Sequence, residues 1–307
     1  MDNFSEKKFK LFVFEYYDFG KKLAKKALKS NIKTMGIQKA YSKVFNPVTD
    51  WSRFSEFFIT SEILKKNLHD GDKVLDIGSP KLFSIWLSKI KKIKIICTDI
   101  WKPAVLEYKN FWGEMESNNE STITFEKADL LNLKYKDNEF DVVFSISTIE
   151  HAYDKDWKKT IPKNIGRVLK NNKIAIITTP YGSKSINQYK DHAEYSIKNS
   201  NEQNNFFMRI INKQDIDEFI KNAEECGLYL EETYSLNISA SRLSVIIRRL
   251  PVHLNVLIGF LKPKLAINNF KIKKGIHIAD NEKYEKKWSS DMITSDIVLV
   301  LRKRKIS

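Results

Sequence analysis

The chain has 307 residues, of which 42% are hydrophobic and 12% aromatic; this supports one sizeable α/β core with additions and excludes a disordered or fibrous protein. Two cysteines, Cys97 and Cys226, are too few for a secreted disulfide framework and fit a reducing cytosol, so a cytoplasmic location is expected. A net charge of +15 favours anionic partners, but the joint richness in Lys, Asn and Ile is also what an A+T-biased genome produces, so charge alone identifies none.

The N-terminus carries Asp2, Glu6 and several lysines around Phe9 and Phe12, and so lacks the pattern of a secretory signal. From Phe4 to Lys29 the residues Phe9, Phe12, Tyr16, Phe19, Leu23 and Ala27 recur every three or four positions, while Lys21, Lys22, Lys25, Lys26 and Lys29 fall mostly elsewhere around the turn. This predicts a basic amphipathic helix. Trp51 to Leu68 predicts a second helix beside the main sheet, leading into the turn His69-Asp70-Gly71-Asp72. The texture then changes to short β-branched runs alternating with helical periods. Strands are predicted over Lys73–Ile77, Lys94–Thr98, Ile123–Glu126, Phe140–Ser145 and Lys173–Thr178, and helices over Leu82–Ile90, Ala104–Met115 and Asp156–Leu169. Such alternation predicts a doubly wound, Rossmann-like, mainly parallel sheet with right-handed crossovers.

Beyond Pro180, the polar stretch Gly182 to Asn205 predicts a loop or hairpin over the site, followed by a helix from Asp215 to Cys226 closed by Gly227. Two more strands, Tyr229–Tyr234 and Ile297–Arg302, flank an insertion from Ile238 to Asp291. Its longest nearly uncharged apolar run, Leu250 to Leu261, is too short to cross a bilayer of ~30 Å. The expected organisation is an N-terminal helical cap over 1–70 and a Rossmann-like core over 71–237. An insertion over 238–291 would serve as a substrate or membrane-surface element, and 292–307 would hold the last strand and a basic tail. No internal repeat is visible.

The strongest local signal is Val74-Leu75-Asp76-Ile77-Gly78-Ser79-Pro80-Lys81-Leu82-Phe83-Ser84, a strand that ends in a glycine turn and enters a helix. In open α/β sheets ligands sit at the carboxyl ends of strands, where glycine permits close approach and a helix N-terminus offers free N–H groups. Asp99 ends the next strand about 20 residues on, where a carboxylate can accept from both ribose hydroxyls. A dinucleotide would need G-x-G-x-x-G for its pyrophosphate, but only Gly78 is present. Asp76 would repel a pyrophosphate, whereas it can orient a water or meet a cationic amino group, so the expected ligand carries a positive charge.

As an ordered set, these residues resemble class I S-adenosylmethionine-dependent methyltransferases, in particular the small-molecule group whose fourth strand ends in Glu-His. The resemblance covers roughly Lys73 to Tyr181, including Phe140-Asp141-Val142-Val143-Phe144-Ser145-Ile146-Ser147-Thr148-Ile149-Glu150-His151 and Gly166-Arg167-Val168-Leu169-Lys170. It implies S-adenosylmethionine as cofactor, with the Asp76 to Ser79 turn against the methionine part and Asp99 on the ribose. It further implies Asp129 on the adenine amino group, Ile100 and Leu130 flanking the ring, and Ser145 completing the set. Where the family has glycine, this chain has Pro80 and Leu82. His151 is the candidate general base for a hydroxyl acceptor. His192, His253 and His277 show no metal-ligand spacing, so no metal is expected.

The expected function is methyl transfer to oxygen, nitrogen or carbon of a small-molecule or lipid-linked acceptor, with an anionic membrane surface as a candidate partner through the N-terminal helix and Arg248-Arg249. Two alternatives stay open: a non-catalytic binding protein that keeps the fold, and a nucleic-acid methyltransferase. The tail Arg302-Lys303-Arg304-Lys305 favours the latter, and the lack of an Asn-Pro-Pro-Tyr-like base-handling motif opposes it.

Overall fold

The computed structural model describes residues 4–35, 53–102, 105, 106, 109, 121–189, 206–240, 267–276 and 293–304. Helices α1 (Glu6–Met35) and α2 (Phe54–Asn67) precede the alternating part. There, β1 (Lys73–Ile77), α3 (Lys81–Ile90), β2 (Lys94–Asp99), β3 (Thr122–Lys127) and β4 (Phe140–Ile146) follow in order. A 3-10 turn (Ile149–His151) then leads to α4 (Trp157–Val168) and β5 (Leu169–Pro180). The chain continues through β6 (Ile186–Tyr189), β7 (Phe206–Ile210), α5 (Lys213–Glu225), β8 (Leu228–Ala240), β9 (Ile267–Lys274) and β10 (Ile293–Lys303).

Eight strands form one sheet in the order β3-β2-β1-β4-β5-β10-β8-β9. The pairs β1–β2, β1–β4, β2–β3 and β4–β5 are parallel, whereas β10 runs antiparallel to both β5 and β8. The order reverses between β1 and β4, which opens a crevice at the carboxyl ends of the first strands, where an open α/β sheet binds ligands.

Period-two alternation along the strands divides the core into two layers. Val74, Val142, Phe144, Ile174 and Ile176 face α1, α2 and α3, while Leu75, Val143, Ala175, Ile177 and Leu299 face α4 and α5. The apolar stripe of α1 is spent here: Phe9, Phe12 and Tyr16 are at most 3% exposed and meet Phe58, Phe57 and Trp86 with ring centroids 5.2–5.8 Å apart. Each such aromatic pair adds about 0.5–1.5 kcal/mol beyond its area burial. Helix α5 starts where the Asn212 side chain accepts from Asp215 N at 2.9 Å while the Asp215 carboxylate accepts from Asn212 N, a reciprocal cap.

Two features differ from the sequence expectation. Helix α1 continues six residues past Lys29. The insertion contributes an edge strand, β9, paired antiparallel with β8, and the boundary drawn after 237 falls inside β8. The Gly182–Asn205 stretch supplies β6, which pairs antiparallel with β7, in line with the hairpin alternative expected there. The helix expected over Ala104–Met115 lies outside the described residues except at Val105, Leu106 and Lys109, and so do Leu250–Leu261 and Arg248-Arg249.

Candidate functional site

The crevice is built first by the turn after β1. Gly78 has φ +70°, a conformation that side-chain-bearing residues avoid, and a Cβ placed on it would stand 2.3 Å from Cγ2 of Thr148. Glycine therefore lets this turn pack on the segment that leaves β4. Hydrogen bonds fix it there: Gly78 N donates to Thr98 O at 2.9 Å, Ile146 N to Ser79 Oγ at 2.9 Å, and Ser145 Oγ to Ile77 O at 3.0 Å. Asp76 is fully buried, with Oδ1 accepting from Ser79 N at 3.0 Å and Oδ2 from Ser84 Oγ at 2.5 Å. Burial raises its carboxyl above the ordinary range, opposed by the nearby Lys81 ammonium and by those hydrogen bonds. Three of the residues expected at the cofactor, Asp76, Ser79 and Ser145, thus use their side chains to build the turn.

The two replaced glycines are accommodated. Leu82 is 1% exposed and joins the core shared with α1 and α2, and Pro80, with φ −57°, caps α3 while its carbonyl accepts from Phe83 N.

Asp99 sits at the end of β2 with its side chain 14% exposed; Oδ1 accepts from Trp101 N at 3.0 Å, and Oδ2 lies 3.9 Å from Lys81 Nζ. Beside it Ile100 is 41% exposed. After β3, Asp129 Oδ1 accepts from Leu131 N at 2.9 Å, and Leu130 is buried. At both aspartates the local turn engages Oδ1, so Oδ2 is not used by that turn, and apolar Ile100 and Leu130 follow next in the chain. A glycine cradle, two rim carboxylates and flanking apolar groups fit an adenosyl ligand.

On the other side of the turn, Ser147 adopts φ +47° after β4, a strained value for a serine. Its Oγ donates to Glu56 Oε1 at 2.7 Å; Thr178 Oγ1 donates to the same oxygen, and Arg53 Nη1 lies 3.3 Å from Oε2. Next along the chain, Glu150 is fully buried and neither of its oxygens has a hydrogen-bond partner. Burial raises its carboxyl to about 8, opposed by Arg53. His151 Nδ1 stands 2.6 Å from Phe207 O on β7, and its Nε2 is 4.0 Å from Glu150 Oε1. Glu56, Lys81 and Phe207 were missed as parts of this region. A buried lysine inside a ligand turn was the one visible signal; nothing local marks a glutamate on α2 or a carbonyl on β7.

Among the described residues no three His, Cys, Asp or Glu side chains come together as a metal set, and no helix is long and apolar enough to cross a membrane.

The profile of a family described as a methyltransferase domain matches residues 68–224, half of the chain. The YcgJ protein from Bacillus subtilis superposes with a TM-score of 0.50 at 16% identity, covering 80% of this chain and 98% of its own. A SAM-dependent methyltransferase from Methanosarcina mazei gives 0.49 at 12% identity, with 80% and 98% covered. At 16% identity the YcgJ protein shows likeness of fold alone. The chain belongs to the methyltransferase-domain family and is a class I S-adenosylmethionine-dependent methyltransferase.

Proposed function

We propose that the protein transfers the methyl group of S-adenosylmethionine to a small-molecule or lipid-linked acceptor seated at the carboxyl ends of β4 and β5, with His151 as general base. The contact between His151 Nδ1 and Phe207 O carries this reading. A carbonyl oxygen only accepts, so Nδ1 holds a proton and Nε2 is left as the proton-accepting nitrogen of the neutral ring. Because Thr148 rests on Gly78, the turn bearing His151 adjoins the cofactor turn. The bound cofactor supplies an electrophilic methyl group, so the chain has to align the acceptor and receive one proton. Asp99 and Asp129 hold the adenosyl part, Nε2 takes the proton from the acceptor, and the β6–β7 hairpin keeps the imidazole aimed.

One observation favours the lipid-linked alternative and a peripheral place on an anionic membrane. Leu11 and Phe14 are 57% and 55% exposed on the outer side of α1, among exposed Lys7, Lys8, Lys10, Lys22 and Lys25.

Titration calorimetry with S-adenosylmethionine and with its demethylated product tests the reading. One-to-one binding of both is expected. Absence of heat and of thermal stabilisation with either ligand at millimolar concentration would sink it and leave a fold without the cofactor.

A further inference from the structure

Lys81 breaks three local rules at once. It is 1% exposed, although lysine almost never loses all contact with water. It occupies the first turn of α3, where the helix dipole disfavours a cation and the turn itself holds no acidic residue. It also lies in the turn that cradles the ligand. The ammonium is not idle: Nζ donates to Ser79 O at 2.6 Å and lies 3.9 Å from Asp99 Oδ2 at the end of β2. Buried Asp76, two residues before Gly78, feels the same charge. A methyl donor of this class is a sulfonium cation, and its demethylated product is a neutral thioether. A fixed cation beside the ribose carboxylate therefore acts differently on the two.

We propose that Lys81 is a charge filter in the cofactor site, disfavouring the sulfonium donor relative to its thioether product. This rests on reading the crevice as the S-adenosylmethionine site. The ammonium neutralises part of the attraction that Asp76 and Asp99 would exert on the sulfonium, while contacts to the adenosyl and amino-acid parts, common to both ligands, are unaffected by the difference. Were the sulfonium held on the order of 8 Å from the ammonium, an effective dielectric of about 20–40 would move the donor-to-product affinity ratio about 5- to 30-fold.

The test is calorimetric affinity for donor and product in the wild type, Lys81→Met and Lys81→Gln. Two neutral replacements are used because Gln keeps a donor for Ser79 O and Met does not. A shared structural role would weaken both ligands alike and leave the ratio still. The expected result is that Kd(donor)/Kd(product) falls about 5- to 30-fold from the wild-type value in whichever variants fold. A ratio that stays unmoved or rises in a folded variant overturns the proposal. If the wild type binds neither ligand, the failure belongs to the reading of the site itself, and the inference falls with it.

Discussion

Glu150→Gln gives a direct measure of what the acceptor end of the site costs the fold. The wild-type carboxyl is fully buried without a hydrogen-bond partner and is raised from its ordinary 4.5 to about 8, chiefly by burial, against the attraction of Arg53. Between these values the native state holds a proton that the unfolded chain releases. Stability is therefore fully present below about pH 4.5 and falls as pH rises towards 8, after which the loss is constant. At about 1.4 kcal/mol per tenfold in proton activity, the loss approaches roughly 5 kcal/mol, a large share of the 5–15 kcal/mol of an ordinary domain. Glutamine has nearly the same shape and does not ionise, so any fixed cost of its buried amide is the same at every pH. Urea unfolding of both proteins at pH 5.5, 7.0 and 8.5 should show the variant gaining on the wild type by about 1.4 kcal/mol per pH unit, levelling off near pH 8. A difference that stays constant across the three pH values would refute the argument that Glu150 enters the fold carrying a proton.

Asp99→Ala should weaken both S-adenosylmethionine and its product by about 1.5–3 kcal/mol in calorimetry through loss of charged hydrogen bonds to the ribose; unchanged affinity removes Asp99 from the site. Gly78→Ala should lower stability by about 1–3 kcal/mol and weaken cofactor binding, since its Cβ has only the space taken by Thr148 at a strained φ, and a melting temperature equal to wild type would contradict this. With an acceptor in hand, His151→Ala should slow turnover about 10²-fold or more while product affinity holds; joint loss of both would mark a structural histidine. In flotation, binding to anionic vesicles should fall with salt and in the Lys7, Lys8, Lys10→Gln variant, whereas protein that stays unbound at low salt ends the membrane reading.

Much of the fold is legible in the chain because it depends on local pattern. Alternating β-branched runs and helical periods dictate the doubly wound architecture, and β1 falls at Lys73–Ile77 as predicted, because strand periodicity reports which faces are buried. The turn at Gly78 and the carboxylate at Asp99 are readable for a similar reason, since ligand crevices form at strand ends and need few residue types. What periodicity cannot say is which surface covers which face. The stripe on α1 would serve a membrane as well as a core, and the tertiary structure spends it on Phe58 and Trp86. Strand β9 lies in the insertion that periodicity left unassigned, and its place at the sheet edge follows from pairing with β8. The placement of β10 between β5 and β8 likewise follows from hydrogen bonding across the sheet rather than from chain order. At the site the same division holds. The chemistry of His151 depends on a carbonyl 56 residues away, and Glu56 is held by hydroxyls 91 and 122 residues distant. Lys81 is two residues from its carbonyl partner, yet its approach to Asp99 depends on β1 and β2 pairing in register. Local sequence sets the identity and periodicity of each group, while hydrogen-bond partners and buried charges are decided by packing between segments far apart along the chain.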